Sequence, residues 1–491
     1  MFTTEDRRLA ESIAALAYAN PFLEQRIAHE KEILGEAWIP GPPYWSLLPE
    51  RGRSSNIDRI AERCNALMQR LQAGGAKPSR SEAVLYEEVA VYFLYERYRE
   101  AIFELFESDP SQRVAFYPRF KADCLAHLPG ADAAHLFACF FQVVRAFQHI
   151  FHAIIGRSQA AARLRAAVWQ SVFTHDMRRY RRSLYARMGD VATLITGPTG
   201  TGKELVARAI GLSRYVPFDE RRERFVGDPA TTFHGVNLSA LSPTLLESEL
   251  FGHRKGSFTG ALADREGFLE SCGALGTVFL DEIGEVDPAV QVKLLRVIQT
   301  RTFQRLGDTT TRRFEGKLIA ATNRNLLAEI RGGTFREDFY YRLCADTITT
   351  PSLGELLANT ADELPHLIRF VAARVAGAGE AEQLADEVLR AIRVSPGLDY
   401  PWPGNFRELE QCVRSVMLRG EYRAGETTRG DARQRIAGAI VNGTLNADDL
   451  LRNYCTLLYA KTRNYSQVAE QLGIDRRTVR AKVDPVLLEE L

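Results

Sequence analysis

The residues with the clearest chemical potential begin at position 197. Gly197, Pro198, Thr199, Gly200, Thr201, Gly202, Lys203 and Glu204 form a GxxxxGK run between an apolar segment, 191–196, and a helix-like run, 205–212. Glycines in such a turn let successive backbone N–H groups face a phosphate. The lysine adds a point charge and the helix N-terminus its dipole. Glu204 stands where the general phosphate-loop pattern has Ser or Thr, and alone the run also reads as a glycine turn. A second group adds to it. The apolar run 277–280 ends in Asp281 and Glu282. Unpaired carboxylates at the end of a buried strand are costly, so packing does not account for them. They suit a Mg²⁺ ligand, Asp281, beside a residue that orients or activates water, Glu282; the alternative is a strand that surfaces at an acidic loop.

These groups need a rigid scaffold. From about 170 to 355, short apolar runs at 191–196, 233–238, 277–280, 317–321 and 346–350 alternate with helical patterns. Such alternation predicts a parallel sheet with helices on both faces. A helical stretch follows to about 420, residues 423–443 read as a linker, and the last 45 or so residues are helical again. Ahead of the sheet, residues 1–165 read as helical throughout. Apolar residues recur at helical spacing in 86–106 and 140–155, with breaks at 39–55 and 72–79. Nothing there resembles strands ending in acids, so a phosphorylated receiver module is not expected.

Composition narrows the class. A chain of 491 residues suggests about three domains. With 63 basic and 62 acidic residues, the formal charge of +1 excludes a uniformly basic nucleic-acid coat but allows a local basic patch. The most apolar segment, 140–155, is broken by Gln142, Arg145, Gln148, His149 and His152, so no membrane span is expected. The opening MFTTEDRRLA carries acids where a signal peptide needs an apolar core. Seven scattered cysteines without a CxxC pair point to a reducing, cytoplasmic setting.

Two further groups carry possible chemistry. In 464–480 a helix, a glycine turn at Gly473 and a second helix are legible. Val468, Ala469 and Leu472 are placed to pack on Val479. Arg476, Arg477, Thr478 and Arg480 then project from the second helix, where they can meet phosphates and base edges of double-stranded DNA. The plainer reading is an amphipathic pair with a solvated basic face. In the front region, Cys124, His127, His135, Cys139, His149 and His152 fall close together in a chain with nine histidines. They allow a metal or haem sensor site; a helical core with interspersed histidines is the reading preferred.

The motifs taken together resemble the AAA+ domain of the sigma-54-dependent activators, the bacterial enhancer-binding proteins, over about 170–420. GPTGTGKE resembles the family's Walker A, where glutamate follows the lysine. GALGTVFLDEIGE (273–285) resembles its Walker B, AATNRNL (320–326) sensor I, FREDFYYRL (335–343) the arginine-finger segment and WPGNFRELE (402–410) sensor II. Residues 1–165 read as an all-α domain that resembles no recognised family and should be regulatory; the resemblance implies an α/β P-loop core with a parallel sheet (170–355), a helical lid (356–422), and a Fis-type helix-turn-helix (444–491) after the linker. It implies ATP and Mg²⁺ as cofactors. Asn237 would hold Glu282 away from water, Asn323 would sense the γ-phosphate, and Arg407 would touch the nucleotide from the lid. Arg336 and Arg342 would reach a neighbouring subunit's site, which implies a homo-oligomeric ring, by analogy a hexamer. Gly256, Ser257, Phe258, Thr259, Gly260 and Ala261 match the family's GAFTGA loop with Ser257 for alanine, the implied contact to sigma-54 and RNA polymerase. A second loop, 303–307, is expected beside it. Residues 350–367 lack the family's basic positions. The implied function is activation of transcription from an upstream DNA site, driven by ATP hydrolysis. Two other readings remain: a DNA-binding regulator using nucleotide only as a switch, and a remodeller of other proteins with an incidental helix pair.

Overall fold

The computed structural model describes the chain except for residues 41–54, 75–78, 109–111, 359, 361, 424–431, 442, 444 and 491. The described residues form two units, 1–371 with 404–409, and 372–403 with 410–491. Most of the two expected breaks, 39–55 and 72–79, lies outside the described residues.

The first unit opens with eight helices: α1 (Thr4–Tyr18), α2 (Gln25–Leu34), α3 (Ser55–Ala73), α4 (Arg80–Glu107), α5 (Tyr117–His127), α6 (Ala133–Ala153), α7 (Gln159–Phe173) and α8 (Met177–Arg182). Their starts are set by local chemistry. Thr3, Asp132, Ser158 and Asp176 accept N–H groups of the first turns, and Ser79 with Glu82 forms a capping box. Among the described residues no strand precedes position 193.

The sheet follows. Its strands are β1 (Thr193–Thr196), β2 (Phe233–Asn237), β3 (Thr277–Asp281), β4 (Lys317–Thr322) and β5 (Asp346–Thr349). They lie in the order β5-β1-β4-β3-β2, all parallel. Residues on the central strands alternate between two cores. Leu194, Val278, Leu280, Leu318 and Ala320 pack on α10 (Pro243–Phe251), α11 (Phe268–Ser271), α12 (Pro288–Thr300), α13 (Leu326–Arg331) and α14 (Glu337–Leu343). Ile195, Phe279, Ile319, Ala321 and Ile348 pack on α9 (Lys203–Leu212), α7 and the end of α6. Burial on both faces is why these strands read as continuous apolar runs. Three two-stranded hairpins interrupt the pattern: Phe218–Asp219 with Arg224–Phe225, Gly252–His253 with Arg265–Glu266, and Thr302–Phe303 with Arg312–Arg313.

The helical layer is built into this core. The expected division at 165–170 runs through α7, which packs on β5 and α9. On α6, Gln142 donates to the Ser213 carbonyl at 2.9 Å, and Arg145 donates to the carbonyls of Leu212 and Arg214. A cation at the carbonyl end of α9 is favoured by the helix dipole. The site is buried, and desolvation lowers the Arg145 guanidinium to about 10. Further along the seam, Phe137 meets Phe218 and Phe225 at ring distances of 4.9 and 5.8 Å, and Phe141 stacks on Phe225 at 4.3 Å. Glu363, which starts α16 (Glu363–Ala376), is fully buried, and its two carboxylate oxygens share the one backbone N–H of Arg157 at 2.9 and 2.8 Å. The stretch 350–367 thus contains a carboxylate fastened to the segment between α6 and α7.

In the second unit, α17 (Ala381–Val394) buries Leu384, Val388 and Ile392, and Trp402 is fully buried against Tyr400 and Tyr422. The segment expected to be a linker, 423–443, holds the helix α19 (Ala432–Val441), while 424–431 lie outside the described residues. Then come α20 (Ala447–Thr462), α21 (Tyr465–Leu472), α22 (Arg476–Lys482) and α23 (Pro485–Glu490).

Candidate functional site

The phosphate loop lies between β1 and α9, where strand and helix set its two ends. Gly197, Gly200 and Gly202 adopt φ values of 145, 79 and 85°, a region that L side chains rarely enter. Space imposes the same choice. A Cβ on Gly197 would lie 2.1 Å from the Thr350 hydroxyl oxygen, and one on Gly200 would lie 2.4 Å from the Gly404 carbonyl oxygen. Thr201 donates to the Pro198 carbonyl at 2.8 Å and meets the Thr350 hydroxyl at 2.7 Å. The Lys203 ammonium donates to the carbonyls of Gly197 and Pro198 at 3.1 and 3.2 Å. Burial lowers its pKa, while Glu282 and Asp281 act to raise it. Glu204 is exposed and faces Arg208 at 3.8 Å, away from the loop.

Asp281 ends β3, and its carboxylate accepts the Glu282 N–H at 3.1 Å. Glu282 sits at φ 58°, ψ 50°, a left-handed conformation that costs a non-glycine residue about 1–3 kcal/mol. That turn re-aims the chain directly after the strand and puts two adjacent carboxylates at the sheet's C-terminal edge. Carboxylate oxygens are the hard donors that Mg²⁺ takes beside phosphate, so the residues present fit that ion.

Other expected residues are distributed unevenly. Asn323 donates to the Thr199 hydroxyl at 2.8 Å, so sensor I touches the loop directly. Arg407 is exposed, and its Cβ would lie 3.2 Å from a Cβ built on Gly200; its charge acts on Lys203. Asn237 pairs in register with Asp281, but its side-chain oxygen accepts from the N–H and hydroxyl of Ser239, not from Glu282's surroundings. Arg336 is held by Asp338 in a bidentate pair at 3.0 and 2.8 Å, and Arg342 on α14 is exposed. Among the described residues, neither makes a hydrogen bond or ion pair with residues 197–204.

Two residues that the motif reading did not single out lie against the glycine-rich loop. Asn405, buried with φ 53°, donates to the Thr199 carbonyl at 2.9 Å and accepts the Leu353 N–H at 2.7 Å. Beside it, the Phe406 N–H reaches the Gly200 carbonyl at 3.0 Å. Thr350, at the end of β5, closes the other side. Asn after Gly signals a turn, but nothing in its spacing says which loop the turn will hold.

The glycine-flanked loop 256–261 projects from the hairpin Gly252–His253/Arg265–Glu266. Gly256 and Gly260 are left-handed at φ 82 and 104°, and Gly256 N–H meets the Ala261 carbonyl at 2.9 Å. Phe258 packs edge-on against His253 at 5.0 Å, and Thr259 is exposed. The second loop lies beside it, as expected. The Arg254 N–H donates to the Leu306 carbonyl, the Leu306 N–H to the Gly252 carbonyl, and a Cβ on Gly307 would lie 2.7 Å from that of Ser257. An ion network underlies both loops. Arg305 grips Glu270 at 2.8 Å, Arg312 bridges Glu270 and Asp308, and Arg254 reaches Asp308 at 3.4 Å. The Thr310 N–H is the main reason the Asp308 carboxyl is held at about 2.

At the other end of the chain, Val468 and Val479 are fully buried between α21 and α22, and Gly473 makes the turn at φ 65°. Arg476, Arg477, Thr478 and Arg480 are exposed. The six cysteines and histidines of the front region are not brought together. His127 meets Gln72 and Phe93, His135 meets Tyr215 and the Arg181 carbonyl, His149 packs on Phe106, and His152 bonds the Gln148 carbonyl. Cys124 is buried, and Cys139 lies 3.6 Å from His135. Among the described residues no three His, Cys, Asp or Glu side chains form a metal-holding group, and no helix is long and apolar enough to cross a membrane.

Comparison with known proteins agrees with this geometry. A family model described as the sigma-54 interaction domain matches residues 171–349. The transcriptional regulatory protein ZraR of Klebsiella oxytoca is 40% identical over 305 residues, 60% of this chain and 63% of ZraR. The Nif-specific regulatory protein of Enterobacter agglomerans is 43% identical over 229 residues, 47% of this chain and 40% of that protein. The chain thus spans less than two thirds of either relative. A crystal structure of NtrX from Brucella abortus in complex with ADP aligns over 78% of this chain and 85% of its own, at 22% identity and a TM-score of 0.43. Residues 171–349, which the sigma-54 interaction domain model matches, carry the glycine-rich loop 197–204, the paired carboxylates and the glycine-flanked loop 256–261 in one sheet-based domain.

Proposed function

We propose that the chain is an ATP-driven activator of sigma-54 RNA polymerase that binds double-stranded DNA upstream of the promoter and works as a homo-oligomeric ring, by family analogy a hexamer. The observation that carries the reading is the coexistence, in one domain, of the glycine-rich loop 197–204 with its carboxylate pair and the loop 256–261 on a separate two-stranded hairpin. The phosphate-loop N–H groups and Lys203 bind the phosphates. Asp281 would hold Mg²⁺, which would supply positive charge beside the phosphates, and Glu282 would orient the attacking water. Asn323, already bonded to Thr199, is placed to respond to the γ-phosphate. Asn237 restrains Glu282 only after leaving Ser239. Arg336 and Arg342 serve the neighbouring subunit's site. The Arg336–Asp338 pair is exposed and screened by solvent, so Arg336 can exchange partners on assembly. Phe258 and Thr259 carry the contact to sigma-54, and Ser257 replaces alanine where the second loop presses closest. Arg476, Arg477, Thr478 and Arg480 form the DNA-facing side of α22.

The test is a trapping assay with full-length protein, sigma-54 and ADP–aluminium fluoride, a mimic of the phosphoryl-transfer state, read on a native gel. A stable complex is expected with the wild type and none with Lys203→Ala or Thr259→Ala. A wild-type protein that hydrolyses ATP yet forms no complex overturns the sigma-54 reading and leaves a nucleotide switch or another remodelling target.

A further inference from the structure

A cavity of about 190 Å³ lies within the helical layer, walled by α1, α2, α4, α6, α7 and α8. Its wall is mostly apolar and rich in rings, with Tyr92, Tyr95, Phe140, Phe147, Trp169 and Phe173 among its lining residues. None of the motif-bearing residues of the nucleotide site lines it.

Three features define what it takes. The first is size. A dry cavity of about 150 Å³ lined by apolar side chains accommodates benzene, so this one has room for a substituted ring or a compact bicycle. The second is charge. The wall includes three arginines, and each has an acidic partner: Arg26 with Glu30, Arg99 with Glu96 at 3.4 Å, and Arg181 with Glu87 at 2.7 Å. With its cations already neutralised, the wall offers no net charge to a ligand anion. The third is hydrogen bonding. The Tyr18 hydroxyl and the Trp169 indole N–H are buried without a hydrogen-bond partner, and both residues line the cavity. Buried donors are satisfied in nearly all folded proteins, and an exception needs an acceptor from elsewhere.

We propose that this cavity is a binding site for a neutral aromatic molecule of one or two rings bearing a hydrogen-bond acceptor, and that its occupancy is coupled to nucleotide affinity. The coupling has a physical path. Phe147, Trp169 and Phe173 share one buried core with Ile195 of β1 and with Val206 and Ile210 of α9, the two elements that hold the ends of the phosphate loop. On the opposite end of α9, Gln142 and Arg145 of α6 hold its last carbonyls. A ligand that repacks α6 against α7 therefore acts on both ends of the helix that bears Lys203.

The test uses full-length protein and titration calorimetry with three probes: acetophenone, its near-isostere cumene without the carbonyl, and benzoate. Acetophenone is expected to bind saturably at one site per chain, and benzoate more weakly. Trp169→Phe should weaken acetophenone about 3- to 10-fold, the loss of one hydrogen bond, while cumene binding stays within about 2-fold. Val143→Trp, which fills the cavity, should remove both. Saturating acetophenone should shift ADP affinity about 5-fold or more, and ADP should shift acetophenone affinity by the same factor. ADP binding without any probe reports whether each variant is folded and whether the nucleotide site itself stands, so its failure is separable from failure of the cavity. No saturable acetophenone binding, a preference for benzoate, or equal losses of acetophenone and cumene in Trp169→Phe overturns the ligand assignment. Binding without reciprocal shifts overturns the coupling. Should Val143→Trp not fold, the Trp169→Phe comparison decides alone.

Discussion

At the phosphate loop, consecutive residues from 197 to 204 and one carboxylate pair do most of the work, and their order along the chain is their order in space. In the helical layer the site is dispersed: the cavity takes residues from helices up to about 160 positions apart. Yet both regions draw on one buried core, in which Trp169 and Phe173 join Ile195 and Ile210. A site made from local backbone geometry can move between proteins as a motif. One made from side-chain packing exists only in its own fold. The ATPase half therefore resembles a family, while the front half presents its chemistry as a cavity rather than as a signature.

The sharpest way to test this contrast is at the paired carboxylates. Glu282→Gln keeps the size of the side chain and removes the charge proposed to orient water. ATP hydrolysis is expected to fall about 10²- to 10⁴-fold while ADP affinity changes little. A parallel loss of ADP binding in isothermal titration would show that Glu282 is a structural part of the loop and not a separate chemical group.

The seam between the regions comes next. Phe137 is fully buried and touches Phe116, Tyr117, Phe120, Phe218 and Phe225. Phe137→Ala should cost about 3–5 kcal/mol. Because Phe218 and Phe225, on a hairpin that follows β1 and α9, pack in the core of the front helices, helix content and ADP binding should be lost together in urea. If the helices melt first and ADP binding persists, the two regions are separable and the shared core counts for little.

The smallest expected effect is electrostatic. Burial, with Arg145 and His152 adding to it, lowers His149 to about 4, below the value of about 6.5 for an unfolded histidine. The unfolded chain then binds a proton that the folded chain refuses, so stability falls as pH drops through about 6.5 and this contribution levels off near 4. Between pH 7.5 and 5.5 the loss from this residue is about 1 kcal/mol. His149→Gln should flatten the pH dependence of the urea midpoint by that amount; an unchanged slope would mean that the ring is hydrated and charges in the native state.

Particular residues show how far the sequence reaches. The five apolar runs became the five parallel strands within a residue or two, because strands buried on both faces are continuous in composition. The hairpins at 218–225, 252–266 and 302–313 were not legible, since strands of two residues carry no periodicity. Asn405 and Thr350 were missed for a different reason: each acts on residues about 150 to 200 positions away. The cysteines and histidines of the front region, close in sequence, ended on different partners because helical faces separate them.

The sequence by itself determined the phosphate loop, the carboxylate pair, the strands that carry them and the helix pair at 465–482. Each depends on residues near in the chain, where backbone geometry and the periods of strand and helix act. Only the tertiary structure decided that α7 belongs to the ATPase core, that α6 clasps the end of α9, that Asn405 and Thr350 close the phosphate loop, and that the front helices enclose an aromatic cavity. These depend on which apolar faces find one another, and burial is non-directional: it fixes that a helix face must be covered, while shape and the few available hydrogen bonds fix by what.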